Sequence, residues 1–285
     1  MKELISAAEA TEIIRSYATP TSTELVPLED ALGRTLAESV VADIDVPPFD
    51  NSAMDGYAVR LGDVEAVPAD VPVSQEIQAG HQPEQPLAPG TCARIMTGAP
   101  IPAGTDAVVP VEWTEGTDPV RILRVPPPAH AIRRSGEDLR VGQTVLHVGR
   151  LITPPIVGML ASVGCAQVPV RIRPACAVIT TGNELVSHTE TPEGGQIRNS
   201  NGPALVAQVH SSGGALSRVL TARDSVSSLQ SALEQSLSDD ILVLSGGVSV
   251  GTYDYVKDVL QDIGVDLLFW KVLQRPGKPL LFGVR

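Results

Sequence analysis

The spacing of apolar residues changes near residue 173, and the change predicts two kinds of structure. Before it, apolar runs such as Ala107–Val109 are short, and proline and glycine are frequent, which is typical of short strands and turns. After it, short apolar runs alternate with stretches whose apolar residues have helical spacing, such as Leu229, Leu233 and Leu237. Alternation of this kind predicts a parallel sheet with helices on both faces.

The same patterns give the individual elements. Ser6–Tyr17 is predicted as a helix, with Ser6 and Glu9 as its capping box. The other predicted helices are Leu151–Val163, a helix opened by Asn201–Pro203, Ser225–Leu237 and Tyr253–Ile263. The predicted α/β strands are Ala175–Thr180, Leu216–Leu220, Ile241–Leu244, Leu267–Leu273 and a last one that begins at Pro279.

These elements predict an α/β plus β-rich fold with three parts. A helix in residues 1–20 packs on the core, residues 21–172 form a β-rich region, and residues 173–285 form a parallel-sheet α/β domain. Because Arg285 falls inside a predicted strand, we expect this domain to be incomplete at its C-terminus.

Composition excludes several classes of partner and site. The net charge of −12 disfavours nucleic acid and anionic membranes, and no apolar run is long enough to span a bilayer. The 3 cysteines indicate a reducing cytoplasm, and the 5 histidines have no zinc-ligand spacing. Residues 173–285 are nearly neutral and concentrate Lys271, Arg275 and Lys278, where an anionic small molecule would bind.

The most informative segment is the glycine loop after the third α/β strand. Gly246, Gly247 and Gly251 allow close approach of a ligand to backbone N–H groups, an arrangement that suits phosphate. A Walker A loop is excluded because Thr252-Tyr253 stands where Lys and Ser or Thr should follow Gly251. A carboxylate at Asp254 would repel phosphate unless a metal lay between them, which indicates magnesium. An ordinary strand-to-helix turn is the alternative.

Charged residues follow the other strands of the α/β region as well. Glu184 follows the first strand, Asp224 the second, and Gln274–Pro279 the fourth. Because the carboxyl ends of parallel strands share one edge, we expect the carboxylates and the cations to converge there. A divalent cation would relieve the repulsion between the carboxylates. Each acid taken singly is also explained as a loop residue or helix cap.

Polar turns in the β-rich region form further candidates. The first is Pro47–Tyr57, which contains Asp50, Asn51, Ser52 and Asp55; the second is Arg94–Asp106, which contains Thr97-Gly98; the third is Ser135–Asp138. Solvated turns often have this composition, so the pattern alone leaves both interpretations open.

Several segments resemble the molybdopterin molybdenumtransferase family (MoeA, the type that includes the gephyrin E-domain). They are Asp50–Tyr57, Arg94–Pro102, Gly136–Asp138, Thr181–Glu184, Ser245–Gly251 and Arg275–Pro279, and they occur in the family's order. The resemblance implies an α/β domain of the molybdopterin-binding, MogA/MoaB-like type. It also implies insertion of molybdate into adenylylated molybdopterin, with Mg²⁺ and release of AMP, by a cytoplasmic homodimer. The family's C-terminal β domain is absent from the sequence.

The resemblance also assigns roles to residues. Asp55, Thr97 and Asp138 would reach across the dimer to the partner's site, while Glu184, Asp224 and Asp254 would line the α/β rim, with Asp224 and Asp254 as the metal ligands. The substrate-binding residues would be Gly246, Gly247, Ser249 and Gly251 for the phosphate, and Lys271, Arg275 and Lys278 for phosphates and molybdate. Arg275 stands where relatives often have lysine, which keeps the charge but changes the hydrogen-bonding geometry.

Two other functions remain open at this stage. The α/β region alone also resembles molybdopterin adenylyltransferase, and a chain without the family's C-terminal part could be a pterin-binding or scaffold module without turnover. The expected partners are a second copy of the chain, a molybdopterin adenylyltransferase and molybdoenzyme maturation factors.

Overall fold

A computed structural model describes residues 1–246 and 255–285, and its contacts divide the chain into two compact units. The α/β unit comprises Met1–Val26, Gly33–Ala37 and Pro169–Arg285. The β-rich unit comprises Pro27–Leu32 and Glu38–Val168. The first helix therefore belongs by its contacts to the α/β unit, although the parallel sheet and the other helices of that unit follow more than a hundred residues later in the sequence.

The elements of the described residues are as follows. The helices are α1 (Ala7–Tyr17), α2 (Pro154–Ser162), α3 (Asn201–Ser211), α4 (Val226–Ser236) and α5 (Val256–Asp262), with 3₁₀ turns at Leu28–Asp30, Leu61–Asp63 and Val111–Trp113. The strands up to residue 110 are β1 (Lys2–Ile5), β2 (Thr23–Pro27), β3 (Val40–Val41), β4 (Asn51–Ser52), β5 (Gly56–Val59), β6 (Ala69–Val71), β7 (Val73–Ile77), β8 (Cys92–Ile95) and β9 (Ala107–Pro110). The later strands are β10 (Thr114–Glu115), β11 (Val120–Ile122), β12 (Ile132–Arg133), β13 (Thr144–Leu146), β14 (Gln167–Arg171), β15 (Ala175–Thr181), β16 (Leu185–Val186), β17 (Ile197–Arg198), β18 (Ala215–Ala222), β19 (Ile241–Ser245), β20 (Asp266–Val272) and β21 (Leu281–Val284).

The α/β unit contains the predicted parallel sheet, in the order β18-β15-β19. The central strand β15 is apolar along its length because both of its faces are covered by helices. Ile179 packs with Leu233 of α4 and Val259 of α5, whereas Val178 packs with Val209 of α3. The prediction of a parallel sheet with helices on both faces is therefore confirmed.

The strand β20 differs from its expected place as the fourth strand of this sheet. It pairs in parallel with β1 and antiparallel with β21, in a separate sheet of order β1-β20-β21. The strand β1 was not predicted, because its four residues include one buried apolar side chain, Ile5, and show no usable period. Its partner strand lies more than 250 residues away, so no local pattern indicates the pairing.

The β-rich unit is organised around a four-stranded sheet of order β7-β8-β5-β9. Its strand β5 is wholly buried because alternate side chains enter two apolar clusters: Tyr57 and Val59 pack with Val109, and Ala58 packs with Ile95. The pairs β12-β4 and β13-β3 and the sheet β10-β11-β6 complete the predicted pattern of short strands. Among the helices of the described residues, none combines the length and apolar content needed to cross a bilayer.

Candidate functional site

In the β-rich unit, the structure brings Asp55 and Thr97 into direct contact. Asp55 lies in the turn between β4 and β5, and its Oδ1 accepts hydrogen bonds from the Thr97 backbone N and from Thr97 Oγ1, both at 2.7 Å. These bonds, the backbone one first, hold the pKa of the Asp55 carboxyl below its ordinary value. Both side chains are exposed, so an ionised carboxylate and a hydroxyl are presented together to solvent.

Close backbone approach determines the course of this turn. Gly56 begins β5, and a Cβ at this position would overlap the carbonyl oxygen of Val109, so only glycine fits. Ser52, which is fully buried, accepts a bond from Gly98 N at 2.8 Å and donates its own N–H to Ala99 O at 3.0 Å. The loop that carries Thr97 is therefore fixed to the loop that carries Asp55 by backbone hydrogen bonds.

Asp138 lies in a neighbouring turn of the same unit and is exposed. Its backbone N donates to Val46 O at 3.0 Å, and Gly136 N donates to Pro47 O at 2.9 Å, so the turn is attached to the chain just before Asp50. Its carboxylate makes no hydrogen bond or ion pair within the described chain. The charge of Asp138 is thus available to a ligand or to a partner.

In the α/β unit, the loops after β15 and β18 are bonded to each other. Asn183 N donates to Asp224 Oδ2 at 3.1 Å, and Asp224 N donates to Asn183 Oδ1 at 3.2 Å. This reciprocal pair brings the loop of Glu184 to that of Asp224 at the carboxyl edge of the parallel sheet. The Glu184 carboxylate folds back over Gly182, where a Cβ would lie 2.6 Å from Oε2. A larger residue at 182 would displace that carboxylate.

Gly246 is the part of the glycine loop that the structure describes. Its φ of +105° is one that L side chains rarely adopt. A Cβ there would overlap Thr181 Oγ1 and lie 2.8 Å from Thr181 O. Thr181 Oγ1 is buried and has no hydrogen-bond partner within residues 1–246 and 255–285. The other predicted loop residues, Gly247, Ser249, Gly251 and Asp254, lie outside the described residues.

A group of neutral polar side chains at this edge was not predicted. Thr180 Oγ1 lies 3.1 Å from Thr221 Oγ1 and accepts a bond from Asn199 Nδ2 at 2.8 Å, and Asn201 Nδ2 donates to Ser245 Oγ at 3.0 Å. Asn199 Oδ1 also accepts from Gly202 N at 2.9 Å and so caps α3. The available signal was the run Arg198-Asn-Ser-Asn201, which places two amides at the start of a helix.

Residues 273–278, which follow β20 and include Arg275 and Lys278, border a groove of about 240 Å³. The groove is lined by Leu4, Val272, Leu273, Gln274, Arg275 and Lys278. Lys271 does not line it; its φ of +69° turns the chain there, and its ammonium lies 3.5 Å from the centre of the Trp270 ring. Within the described chain, no ion pair joins Lys271, Arg275 or Lys278 to a carboxylate. The charges of Arg275 and Lys278 are therefore available to an anion, whereas the Lys271 ammonium lies against the Trp270 ring. The convergence of the three cations with the carboxylates remains a prediction.

One of the two predicted magnesium ligands, Asp224, lies within the described residues. No group of three His, Cys, Asp or Glu within residues 1–246 and 255–285 is placed to hold a metal. Magnesium, however, usually takes one or two carboxylates and fills its other positions with water and substrate phosphate. Asp224 is exposed and uses Oδ2 for the bond from Asn183 N, which leaves Oδ1 for a cation. Asp224 fits the requirement, and the second predicted ligand lies outside the described residues.

The chain matches known families over most of its length. Residues 5–164 match the MoeA N-terminal region (domain I and II), and residues 177–285 match a probable molybdopterin binding domain. A curated relative named molybdopterin molybdenumtransferase 2, from Mycobacterium tuberculosis, is 44% identical over 267 residues, which cover 89% of this chain and 65% of that protein. The chain therefore spans about two thirds of the length of this relative.

Other relatives agree in sequence and in structure. Molybdopterin molybdenumtransferase from Bacillus subtilis is 37% identical over 283 residues, which cover 96% of this chain and 66% of that protein. A crystal structure of a molybdopterin biosynthesis MoeA protein from Pyrococcus horikosii superposes with a TM-score of 0.79 at 32% identity. That superposition covers 99% of this chain and 72% of the other.

Proposed function

The chain belongs to the MoeA family of molybdopterin molybdenumtransferases, and from that premise we propose that it inserts molybdate into adenylylated molybdopterin and releases AMP. The observation that carries the proposal is the pair of cross-bonded loops at Asn183 and Asp224, beside Gly246 at the carboxyl edge of the parallel sheet. In open α/β sheets this edge is where ligands bind.

Each part of the proposed site has a task that its chemistry supports. Backbone N–H groups of the glycine loop would receive a phosphate, with Gly246 allowing the approach. Arg275 and Lys278 would hold oxyanion charge beside the groove, and Lys271 would add a third cation. Asp224, with Asp254, would hold Mg²⁺, which when bound supplies positive charge to the phosphates. The exposed amide of Asn201 would orient neutral polar parts of the substrate, and the buried Thr180 would hold the Asn199 amide in place.

The acidic residues of the β-rich unit would act on a partner chain. We propose a homodimer in which Asp55, Thr97 and Asp138 of one protomer complete the site of the other, in cytoplasm, where Cys92, Cys165 and Cys176 stay reduced. The three cysteines are free in the structure. Sedimentation equilibrium tests the assembly, and a mass equal to one chain would exclude the shared site. A molybdopterin adenylyltransferase would supply the substrate, and maturation factors would receive the product.

The decisive experiment measures AMP release from adenylylated molybdopterin in the presence of Mg²⁺, with and without molybdate. We expect release to depend on molybdate, and to fall about a hundred- to thousandfold in Asp224→Asn, the loss typical of one electrostatic group. Asp262→Asn is the matched control, because Asp262 is exposed on α5. Molybdate-independent binding of the pterin without AMP release would instead identify a binding module. This second candidate is supported by the match of residues 177–285 to a probable molybdopterin binding domain.

A third outcome concerns the direction of the chemistry. If the chain formed adenylylated molybdopterin from ATP, it would be a molybdopterin adenylyltransferase, and the assigned reaction would be wrong. The match of residues 5–164 to the MoeA N-terminal region argues against that outcome.

A further inference from the structure

Asp50 contacts all three loops that carry the predicted site residues of the β-rich unit. It belongs to the first loop, and its carbonyl oxygen accepts a hydrogen bond from Ile101 N at 3.0 Å, in the second loop. Its carboxylate accepts bonds from Ser135 N at 2.8 Å and from Arg134 Nη1 at 2.5 Å, at the start of the third. One side chain and its own backbone therefore link the three segments.

Strand pairing explains why these partners meet. In the antiparallel pair of β4 and β12, Asn51 lies opposite Arg133 and Ser52 opposite Ile132. The next position outward places Asp50 opposite Arg134, where cross-strand side chains of opposite charge are neighbours. The chain then turns at Gly136, whose φ is +70°, and reaches Asp138 two residues later. The Arg134–Ser135 segment held by Asp50 thus sets the start of the turn that carries Asp138, and backbone bonds from Gly136 N to Pro47 O and from Asp138 N to Val46 O hold the rest.

The carboxylate of Asp50 remains ionised at neutral pH. The Ser135 N–H and the Arg134 guanidinium hold the pKa of the Asp50 carboxyl below its ordinary value, the backbone bond contributing most. The ion pair is partly exposed, with 59% of the Arg134 side chain and 37% of the Asp50 side chain accessible. Exposed ion pairs contribute little to folding stability. We therefore expect the Asp50 carboxylate to affect the Arg134–Ser135 segment rather than the stability of the whole unit.

We propose that Asp50 is a positioning residue, whose carboxylate fixes the Ser135–Asp138 turn against the loops that carry Asp55 and Thr97. The three side chains then meet the substrate as one surface rather than as three independently moving turns. The identity of that substrate, an adenylylated pterin, rests on the proposed function. The linkage between the loops does not, and it can be tested by itself.

The test compares amide hydrogen exchange in the 285-residue chain with exchange in Asp50→Ala and Asp50→Asn. In Asp50→Ala we expect exchange at Ser135 to rise roughly tenfold to hundredfold, as for loss of a charge-assisted hydrogen bond. Exchange at Gly136 and Asp138 should rise less, because their N–H groups keep their bonds to Pro47 O and Val46 O. Asp50→Asn should lie between, because the amide oxygen still accepts from Ser135 N but no longer pairs with Arg134 as an ion.

A matched control exists in the same unit. Asp70 accepts bonds from Arg121 Nε at 2.8 Å and Nη2 at 2.9 Å, between β6 and β11, which carry no predicted site residue. Asp70→Ala removes an exposed Asp–Arg pair of the same kind and should leave exchange in residues 134–138 unchanged. The proposal is overturned if Asp50→Ala exchanges like the unaltered chain in 134–138. A uniform acceleration over the whole unit overturns it as well.

An activity assay distinguishes a positioning role of Asp50 from a purely structural link between the loops. We expect kcat/KM for AMP release to fall roughly tenfold in Asp50→Ala, less in Asp50→Asn and not in Asp70→Ala, in the same order as the exchange rates. If amide exchange changed but kcat/KM did not, Asp50 would not position any residue that the reaction needs, and the proposal would be wrong. If the unaltered chain releases no AMP, the proposed function fails for this chain. The same variants are then compared by their Kd for adenylylated molybdopterin, and an unchanged Kd would refute the positioning role.

Discussion

Replacing Gly246 by alanine should destabilise the α/β unit by more than a glycine substitution normally does. Two effects add at this position. A left-handed φ costs an L residue about 1–2 kcal/mol, and φ is +105° here. The added Cβ would also overlap Thr181 Oγ1 and lie 2.8 Å from Thr181 O, and forcing a methyl into filled space costs about 1–3 kcal/mol. We therefore expect a loss of about 2–5 kcal/mol in the free energy of unfolding.

Gly213 provides the matched control within the same unit. Its φ is +84°, and a Cβ built on it meets nothing within 4 Å. Gly213→Ala therefore carries the conformational cost without the overlap, and we expect it to lose about 1–2 kcal/mol. The difference between the two variants isolates the contact with Thr181.

The assay is urea unfolding followed by the fluorescence of Trp270 in a Trp113→Phe background. Trp270 lies in β20 of the α/β unit, so its signal reports that unit alone. This matters because a chain of two units is not expected to unfold in one two-state transition. If Gly246→Ala and Gly213→Ala lower the free energy of unfolding equally, within about 0.5 kcal/mol, the inference that Gly246 closely approaches Thr181 is wrong.

Three further outcomes follow from the described residues. Thr97→Val keeps the backbone N–H whose hydrogen bond is the largest cause of the lowered pKa of Asp55. NMR titration of this variant should therefore still find that pKa below its ordinary value, and a return to the ordinary value would contradict the assigned cause. Because the pKa is lowered, these bonds stabilise the fold above about pH 4, and that contribution is lost as the pH falls through the lowered value. Burial, followed by the nearby Asp118 charge, raises the pKa of the Cys92 thiol to about 12. Iodoacetamide at pH 8 should therefore alkylate the less buried Cys165 before Cys92, and equal alkylation rates would refute this. Leu233→Ala, at a fully buried position of α4, should cost about 2–5 kcal/mol in the Trp270 assay, and a loss below 1 kcal/mol would contradict its packing.

Elements with a strong local period could be predicted from the sequence. The helix α4 has Leu229 and Leu233 one turn apart and an N-cap serine, Ser225, whose side chain accepts from Ser228 N. Of the capping box predicted for α1, one of the two hydrogen bonds is present. Ser6 Oγ accepts from Glu9 N at 3.1 Å as predicted, but the Glu9 carboxylate pairs with Lys2 Nζ at 2.7 Å instead of closing the capping box. A lysine seven residues away competes for the carboxylate, and sequence spacing does not reveal that.

Site residues whose partners are distant in sequence were harder to predict. The acids Glu184 and Asp224 could be named because each directly follows an apolar strand. The amides Asn199 and Asn201 were missed, because a polar run ahead of a helix has the same composition whether it caps the helix, binds side chains or does both. Asn199 does both, through Gly202 N and Thr180 Oγ1. The contact between Asp55 and Thr97 spans 42 residues, so it depends on a fold that no local pattern specifies.

The pairing of β1 with β20 has a consequence for the order in which the protein forms on the ribosome. The chain leaves the α/β unit after Val26, re-enters it briefly at Gly33–Ala37, completes most of the β-rich unit between Glu38 and Val168, and returns at Pro169. The β-rich segment is thus an insertion that can fold while the rest is still being synthesised. The strand β1 emerges first but has no partner until residue 272 has been added. Until then its edge is unpaired, and a nascent chain that stalls before that point would expose it to association with other chains.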